Sequence, residues 1–431
     1  MPDFCFVHAA DLHLGSPFAG VRASSPQTAS ALASATVQAL DNIVKLCIAR
    51  KAAFLVLAGD VFDSEATGIG AQYHLFQALS SLASSGIPSF VAWGNHDPLS
   101  AWRAKFNWPS EVHFFSSEVE SYPVQLNGRR IATVSGISYE RAEVTENLMR
   151  RFEPRSSQEF SVGVLHCNVG GATEHANYSP CTVEDLAASP FDYWALGHVH
   201  EHRIIRPPGQ PDRVAVYPGC AQGRNPRETG AKGCCVVSVS SGKLSDVEFV
   251  PVDTVRWMQL QVDVGGMEGL DEFIAYASRR CADFMKYASA PSAGLALRIT
   301  AVGRGSVHSL VARRGVAEVE ESVRSALEQE AQAMGGVWWW LECIEDRTRA
   351  EVDRDSLRSC ASLVSDLIAA ADELHDDDAA LENMMNSIMP DMVNSQARAI
   401  ISDMTSDDLR ELVHEAEAMA LDLLLGEGRS S

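Results

Sequence analysis

Aspartate, histidine and asparagine recur in short clusters along the first 200 residues: Asp11-x-His13, Gly59-Asp60, Gly94-Asn95-His96-Asp97, His166 and Gly197-His198-x-His200. Carboxylates, imidazoles and one carboxamide, with no thiolate among them, suit Mn²⁺, Fe or Zn rather than a structural thiolate site. Residues two apart in an extended segment point the same way. Asp11 with His13, and His198 with His200, can therefore each approach one metal cluster from one side. The expected arrangement is Asp11, His13 and His200 on one cation, Asn95, His166 and His198 on a second, and Asp60 bridging both. Two cations about 3.5 to 4 Å apart activate a water and clamp phosphoryl oxygens. A phosphodiester repels anionic nucleophiles and has poor leaving groups, so charge neutralisation by two divalent metal ions is the effect its hydrolysis requires. His96, next to a ligand but aimed past the metals, is expected to act as a general acid or hydrogen-bond donor at the leaving oxygen. Asp63 is expected to orient it.

These clusters need rigid elements behind them. Each follows a short apolar run: Phe4 to Ala10, Phe54 to Ala58, Ser89 to Trp93, Val162 to Leu165 and Tyr193 to Leu196. Strand followed by active loop is the reading, and the carboxyl ends of strands are where ligands collect in α/β sheets. Between them, Gln27 to Lys51 and Ala71 to Ser85 carry apolar residues at three-to-four spacing, predicting helices and an α/β fold class. Short strands are expected at Val214 to Tyr217 and Cys234 to Ser240. From Asp253 a β-α-β-α-β pattern predicts a small α+β domain. Beyond it the chain is helix-rich, acidic and Met-rich, with an N-cap expected at Ser406. The predicted domains are 1–252, 253–346 and 347–431.

The formal net charge is -22 over 431 residues. From Asp346 onward 20 Asp/Glu face 7 Lys/Arg, so the acidity is concentrated in the tail, and a generic nucleic-acid binder is disfavoured. Ten scattered cysteines without a C-x-x-C are read as reduced, small hydrophobic residues. The N-terminus has no basic leader, and no run approaches the roughly 18 apolar residues of a membrane span. A cytoplasmic protein without a membrane partner is the expectation.

The stretches His8-Ala9-Ala10-Asp11-Leu12-His13-Leu14-Gly15 and Gly59-Asp60-Val61-Phe62-Asp63 resemble the calcineurin-like metallophosphoesterase superfamily. They look most like its DNA repair exonucleases of the SbcD/YhaO type. Tyr217-Pro218-Gly219-Cys220-Ala221-Gln222-Gly223-Arg224 and Glu228 to Gly233 are similar to the same subgroup. The resemblance covers about 250 residues, and more weakly the α+β domain. It implies a four-layer α/β/β/α sandwich with a capping domain, a homodimer, and Mn²⁺-dependent cleavage of DNA. It also implies an SbcC-like coiled-coil ABC-type ATPase as partner, docked by the helical tail. Cys220 departs from the subgroup's small polar residue.

Other residues admit plainer roles. Arg203, Arg206, Arg213, Arg224, Arg227 and Lys232, opposed by Glu201, Asp212 and Glu228, read either as a phosphate-contacting surface or as a solvated loop face. Arg224, Arg227, His175 and Tyr178 are the candidate substrate contacts. Trp338 to Trp340 and His8 are expected to fill cores. Two alternatives to a DNA nuclease stay open: a phosphoesterase for cyclic nucleotides or phosphoproteins, since one metal cluster serves many substrates, and a DNA-tethering subunit of an ATPase complex.

Overall fold

The computed structural model describes residues 2–16, 26–64, 67–153, 159–171, 178–210, 212–286, 294–334, 337–351, 354–359, 362–388 and 404–426. The alternation of strand residues sorts the first 250 residues into layers. In β1 (Phe4–Ala9), Phe6 faces one core with Phe54, Phe90, Phe160 and Tyr193, while its neighbour Val7 faces another with Leu55, Leu57 and Val91. Successive side chains of a strand point to opposite faces, so a strand this apolar must be covered on both sides.

Two six-stranded sheets provide the cover. The first has the order β12-β11-β1-β2-β3-β4, using β2 (Leu55–Ala58), β3 (Ser89–Ala92), β4 (Val112–Phe114), β11 (Gly233–Ser240) and β12 (Lys243–Pro251). The second has the order β5-β6-β7-β8-β10-β9, using β5 (Glu120–Leu126), β6 (Arg129–Gly136), β7 (Phe160–His166), β8 (Tyr193–Gly197), β9 (Arg203–Ile205) and β10 (Val214–Tyr217). β1, β2, β3 and β4 run parallel, as do β6, β7, β8 and β10, and this brings the carboxyl ends of β1, β2, β3, β7 and β8 to the loops that carry the candidate ligands. The two sheets face each other across the aromatic core.

Helices close the outer faces. α1 (Pro26–Arg50) and α2 (Ile69–Ser84) bury Ala39, Leu40, Ile43, Leu75, Leu79 and Leu82 against the first sheet. A short 3₁₀ turn at Leu148–Arg151 and α3 (Val183–Ala188) cover Trp194, Leu196 and Tyr217 of the second. The result is the four-layer calcineurin-like sandwich. Residues Ala29–Arg50 of α1 do reach the length and apolarity of a membrane span, at a hydropathy of 1.3. Ala35, Ala39, Leu40 and Ile43 of this stretch are buried.

A third sheet, β13-β14-β15, uses β13 (Val255–Asp263), β14 (Gly294–Arg304) and β15 (Trp338–Arg349). α4 (Leu270–Lys286) buries Phe273, Ala277 and Cys281, and α6 (Val316–Ala333) buries Val319, Val323, Leu327 and Ala331, a spacing of four that keeps one stripe inward. An additional helix, α5 (Ser306–Arg314), interrupts the expected β-α-β-α-β order. Trp340 meets Trp257 edge to face at 5.8 Å, and with Trp339 it is buried, as core tryptophans should be.

By contacts the chain divides into two units, 1–262 with 271–301 and 314–346, and 263–270 with 302–313 and 347–431. The second contains α7 (Arg354–Arg358), α8 (Leu363–Asp376), α9 (Asp378–Ile388) and α10 (Ser406–Gly426). Within it the Arg304 guanidinium donates to the carbonyls of Ala350 and Ala418, and Arg354 pairs with Glu417 at 2.8 Å. The cap of α10 is Thr405, one residue before the expected Ser406. Its hydroxyl accepts from Asp408 N while the Asp408 carboxylate accepts from Thr405 N.

Candidate metal centre

Four of the expected ligands, Asp11, His13, Asp60 and His198, adopt positive φ values of 51, 45, 49 and 101°. A residue with a Cβ enters this region at a cost, and such conformations concentrate where a backbone must aim a side chain. Backbone bonds hold the kinks, with Asp11 N donating to Gly59 O and His13 N to Asp60 O, so the loops after β1 and β2 brace one another. Gly197 is required by close approach, because a Cβ there would strike the Ala58 carbonyl and the His166 ring.

Around the first position, Asp11, His13 and His200 bring donor atoms within 4.8 Å of one another. The Nε2 atoms of His13 and His200 lie 3.2 Å apart. The Nδ1 of His13 faces the Asp63 carboxylate at 3.3 Å, and that of His200 faces Glu228 at 2.7 Å. Glu228 accepts from His200 Nδ1 and so directs the Nε2 lone pair of His200 toward His13, whose own Nδ1 lies at ion-pair distance from Asp63 without a hydrogen bond. Two imidazole nitrogens this close share a proton or a metal ion, and with Asp11 beside them they form a group able to hold a cation. Burial, and then the nearby Arg224 guanidinium, lower the His13 pKa to about 3, so its ring is a neutral donor.

Around the second position, Asp11, Asp60 and His166 form a fully buried cluster. His166 Nδ1 donates to Ala58 O at 3.0 Å, while Nε2 lies 3.0 Å from Asn95 Oδ1 and 3.4 Å from Asp60 Oδ2. Asp60 Oδ1 also accepts from His96 N at 2.9 Å. Burial raises the Asp11 pKa to about 6. For His166 burial opposes the charged form, but the carboxylate of Asp60 beside it raises the pKa to about 9. A site that pulls a proton onto an imidazole in this way has negative charge to offer a metal. His198 donates its backbone N to both Asp11 oxygens at 3.1 Å, and its ring lies 5.3 Å from that of His166. The donor set fits divalent cations.

His96 is exposed, with its ring 4.9 Å from that of His13. Its Nδ1 donates to the backbone carbonyl of Asp63 at 2.7 Å, and a ring nitrogen lies within 4.8 Å of donor atoms of His13 and Asp60, at the edge of the centre. Asp63 therefore orients His96 through its main chain. Its carboxylate, expected on His96, turns instead to His13 and to Arg224 at 2.5 Å. Arg224 likewise differs from the expected substrate contact. It is half-buried among partners, Nη1 on Asp63 and on Ser16 Oγ at 3.0 Å, Nη2 3.7 Å from Glu228. Arg227 is exposed, Tyr178 sits 5.9 Å from the His198 ring, and His175 lies outside the described residues.

Glu228 is the site residue that sequence reasoning passed over, as one acid among loop charges. Its burial to 7% beside a histidine is a property of the fold alone. Asp97 is the other, with its carboxylate accepting from Gly94 N at 2.8 Å and Phe62 N at 3.0 Å and so shaping the loop that presents Asn95. Its place in Gly-Asn-His-Asp was the available signal.

Comparison with known proteins places this centre. A family profile described as calcineurin-like phosphoesterase matches residues 5–202, and one described as the middle domain of metallophosphoesterase YhaO matches residues 257–349. The chain is 32% identical over 358 residues to the uncharacterized metallophosphoesterase YhaO of Bacillus subtilis, covering 83% of this chain and 85% of that one. It is 26% identical over 287 residues to the DNA double-strand break repair protein Mre11 of Methanopyrus kandleri, covering 60% and 59% of the two chains. The Mre11 protein of Aeropyrum pernix is 23% identical over 279 residues, covering 60% and 63%. With a relative aligned over most of both chains and the donor set gathered at the ends of five strands, this chain belongs to the calcineurin-like metallophosphoesterase superfamily.

Proposed function

We propose that the chain is a Mn²⁺-dependent phosphodiesterase that cleaves DNA in repair or recombination, using two metal ions. The observation that carries the two-metal reading is the convergence of donors in two adjoining positions, His13 and His200 Nε2 at 3.2 Å and Asn95, His166 and Asp60 within 3.4 Å, with Asp60 reaching both histidine sets. A cation pair held there supplies an acidified water and neutralises phosphoryl oxygens. Asp11, His13 and His200 hold one position, Asn95, His166 and His198 the other, and Asp60 the space between. His96, fixed at Nδ1 by the Asp63 carbonyl, presents Nε2 to the departing oxygen, where it stabilises or protonates the leaving group.

The choice of DNA is supported by the two relatives named as DNA double-strand break repair proteins. In this reading residues 1–252 are catalytic, 253–346 cap the DNA, and 347–431 dock an SbcC-like ATPase, in a cytoplasmic homodimer. The aromatic cluster of exposed Tyr73 with Phe76 and Phe106 offers an apolar face for the second copy. A small phosphodiester or phosphoprotein as substrate is the second reading. The pairing of half-buried Arg224 with Asp63 and Glu228 favours it, because these carboxylates occupy a cation otherwise available to a phosphate surface. Digestion of end-labelled duplex DNA in Mn²⁺ separates the two. The parent shortens the label and Asp60→Ala does not; equal digestion by both sinks the nuclease reading.

A further inference from the structure

The two histidines of the first metal position are each backed by a carboxylate, and one guanidinium joins those carboxylates. Asp63 holds His13 at 3.3 Å and Glu228 holds His200 at 2.7 Å. Arg224 sits between them, Nη1 2.5 Å from Asp63 and Nη2 3.7 Å from Glu228, while its backbone N donates to the other Glu228 oxygen at 2.6 Å. Nη1 also donates to Ser16 Oγ at 3.0 Å. Three loops, after β1, after β2 and before β11, thus meet on one side chain that is only 13% exposed. At the second position the His166 Nδ1 is held instead by the Ala58 carbonyl.

We infer that Arg224 is a positioning residue that sets the affinity of the first metal position by clamping Asp63 and Glu228 behind His13 and His200. The inference rests on the two-metal reading. The clamp works by geometry. A planar guanidinium addresses two carboxylates at once from fixed directions, which a lysine ammonium does not. Asp63, at 29% exposed, has solvent to swing into once the fork is gone. The His13 ring then loses the carboxylate packed 3.3 Å from its Nδ1, and with that neighbour the convergence of the two Nε2 atoms. Groups hydrogen-bonded behind a metal-bound histidine govern metal affinity by about ten- to a hundredfold.

The test is Mn²⁺ titration of the full-length, chelator-stripped protein, with free Mn²⁺ read by electron paramagnetic resonance. The parent is compared with Arg224→Met, Arg224→Lys, Glu228→Gln and the Arg224→Met/Glu228→Gln double variant. Thermal unfolding in chelator accompanies each to report folding. The expected result is two binding events in the parent and, in Arg224→Met, one event weakened about ten- to a hundredfold with the other unchanged. Arg224→Lys retains part of the loss, and the double variant loses less than the product of the single losses, as coupled groups do. Two unchanged events in a folded Arg224→Met overturn the clamp alone. Equal weakening of both events overturns it in favour of general loosening. A parent that binds no Mn²⁺ overturns the clamp and the two-metal reading together.

Discussion

At the scale of single residues, the motifs exposed the donors but not the groups behind them. Asp11, His13, Asp60, His166 and His200, which the fold draws into donor groups, Asn95 beside His166, and His198, its ring 5.3 Å from that of His166, were named because each stands after an apolar run, a local signal. Glu228 was not, since its partner lies 28 residues away and only the fold joins them. The carboxylate of Asp63 was misdirected for the same reason: three residues from Asp60 it looked free for His96, whereas folding gives it His13 and Arg224. His96→Gln is expected to lower kcat about 10²- to 10⁴-fold on a phosphodiester while Mn²⁺ content stays at the parent level. Metal analysis beside the kinetics checks this, and loss of metal in the variant would make His96 a ligand. His8 carries a separate prediction. It is wholly buried with Nδ1 2.9 Å from the Tyr193 hydroxyl, and burial lowers its pKa from 6.5 to about 3. Between those values the unfolded chain binds a proton there and the folded chain does not. Its contribution is complete above pH 6.5 and is lost as pH falls toward 3, at about 1.4 kcal/mol per pH unit. Urea unfolding in chelator at pH 7.5 and 5.5 should show a smaller acid loss in His8→Gln than in the parent. Equal losses would contradict it.

At the scale of elements, strand-then-loop units were legible because a strand buried on both faces is written as a continuous apolar run. β4, β5, β6, β9 and β12 lay outside the sequence reading. β5 and β12 are outer strands with mixed exposure, Glu120–Leu126 and Lys243–Pro251, so neither a solid run nor a clean alternation marks them. The inner β6 (Arg129–Gly136) mixes Arg, Thr and Ser into its apolar run and leads to no ligand loop. α5 was similarly hidden beside the longer α6. Glycines show how tightly the elements close on the site. Gly197→Ala drives a Cβ into the Ala58 carbonyl and His166, while a Cβ at Gly70, in the first turn of α2, meets nothing within 4 Å. The first substitution should destabilise by about 1–3 kcal/mol and weaken Mn²⁺ binding. The second should stabilise by about 0.4–1 kcal/mol. Thermal unfolding of the two variants checks the pair, and a Gly197→Ala protein as stable as the parent would contradict the packing described.

For the whole molecule, composition bounded the answer without fixing the substrate. The acidic tail was visible as a charge excess, yet its helices group by contact with residues 263–270 and 302–313, a long-range association that no local pattern encodes. α10 leaves Leu412, Met419, Leu423 and Leu424 exposed. If the tail docks an SbcC-like ATPase, Met419→Asp with Leu423→Asp should reduce co-purification with that ATPase at least tenfold and leave Mn²⁺ content unchanged; full retention would count against docking. The central claim, two metals around Asp60, is tested most directly by hydrolysis of bis(4-nitrophenyl) phosphate as Mn²⁺ is added to chelator-stripped protein. Activity should rise from zero and saturate only after a second Mn²⁺ per chain is bound, and Asp60→Ala should stay inactive throughout. Full activity at one Mn²⁺ per chain, or in Asp60→Ala, would contradict the account.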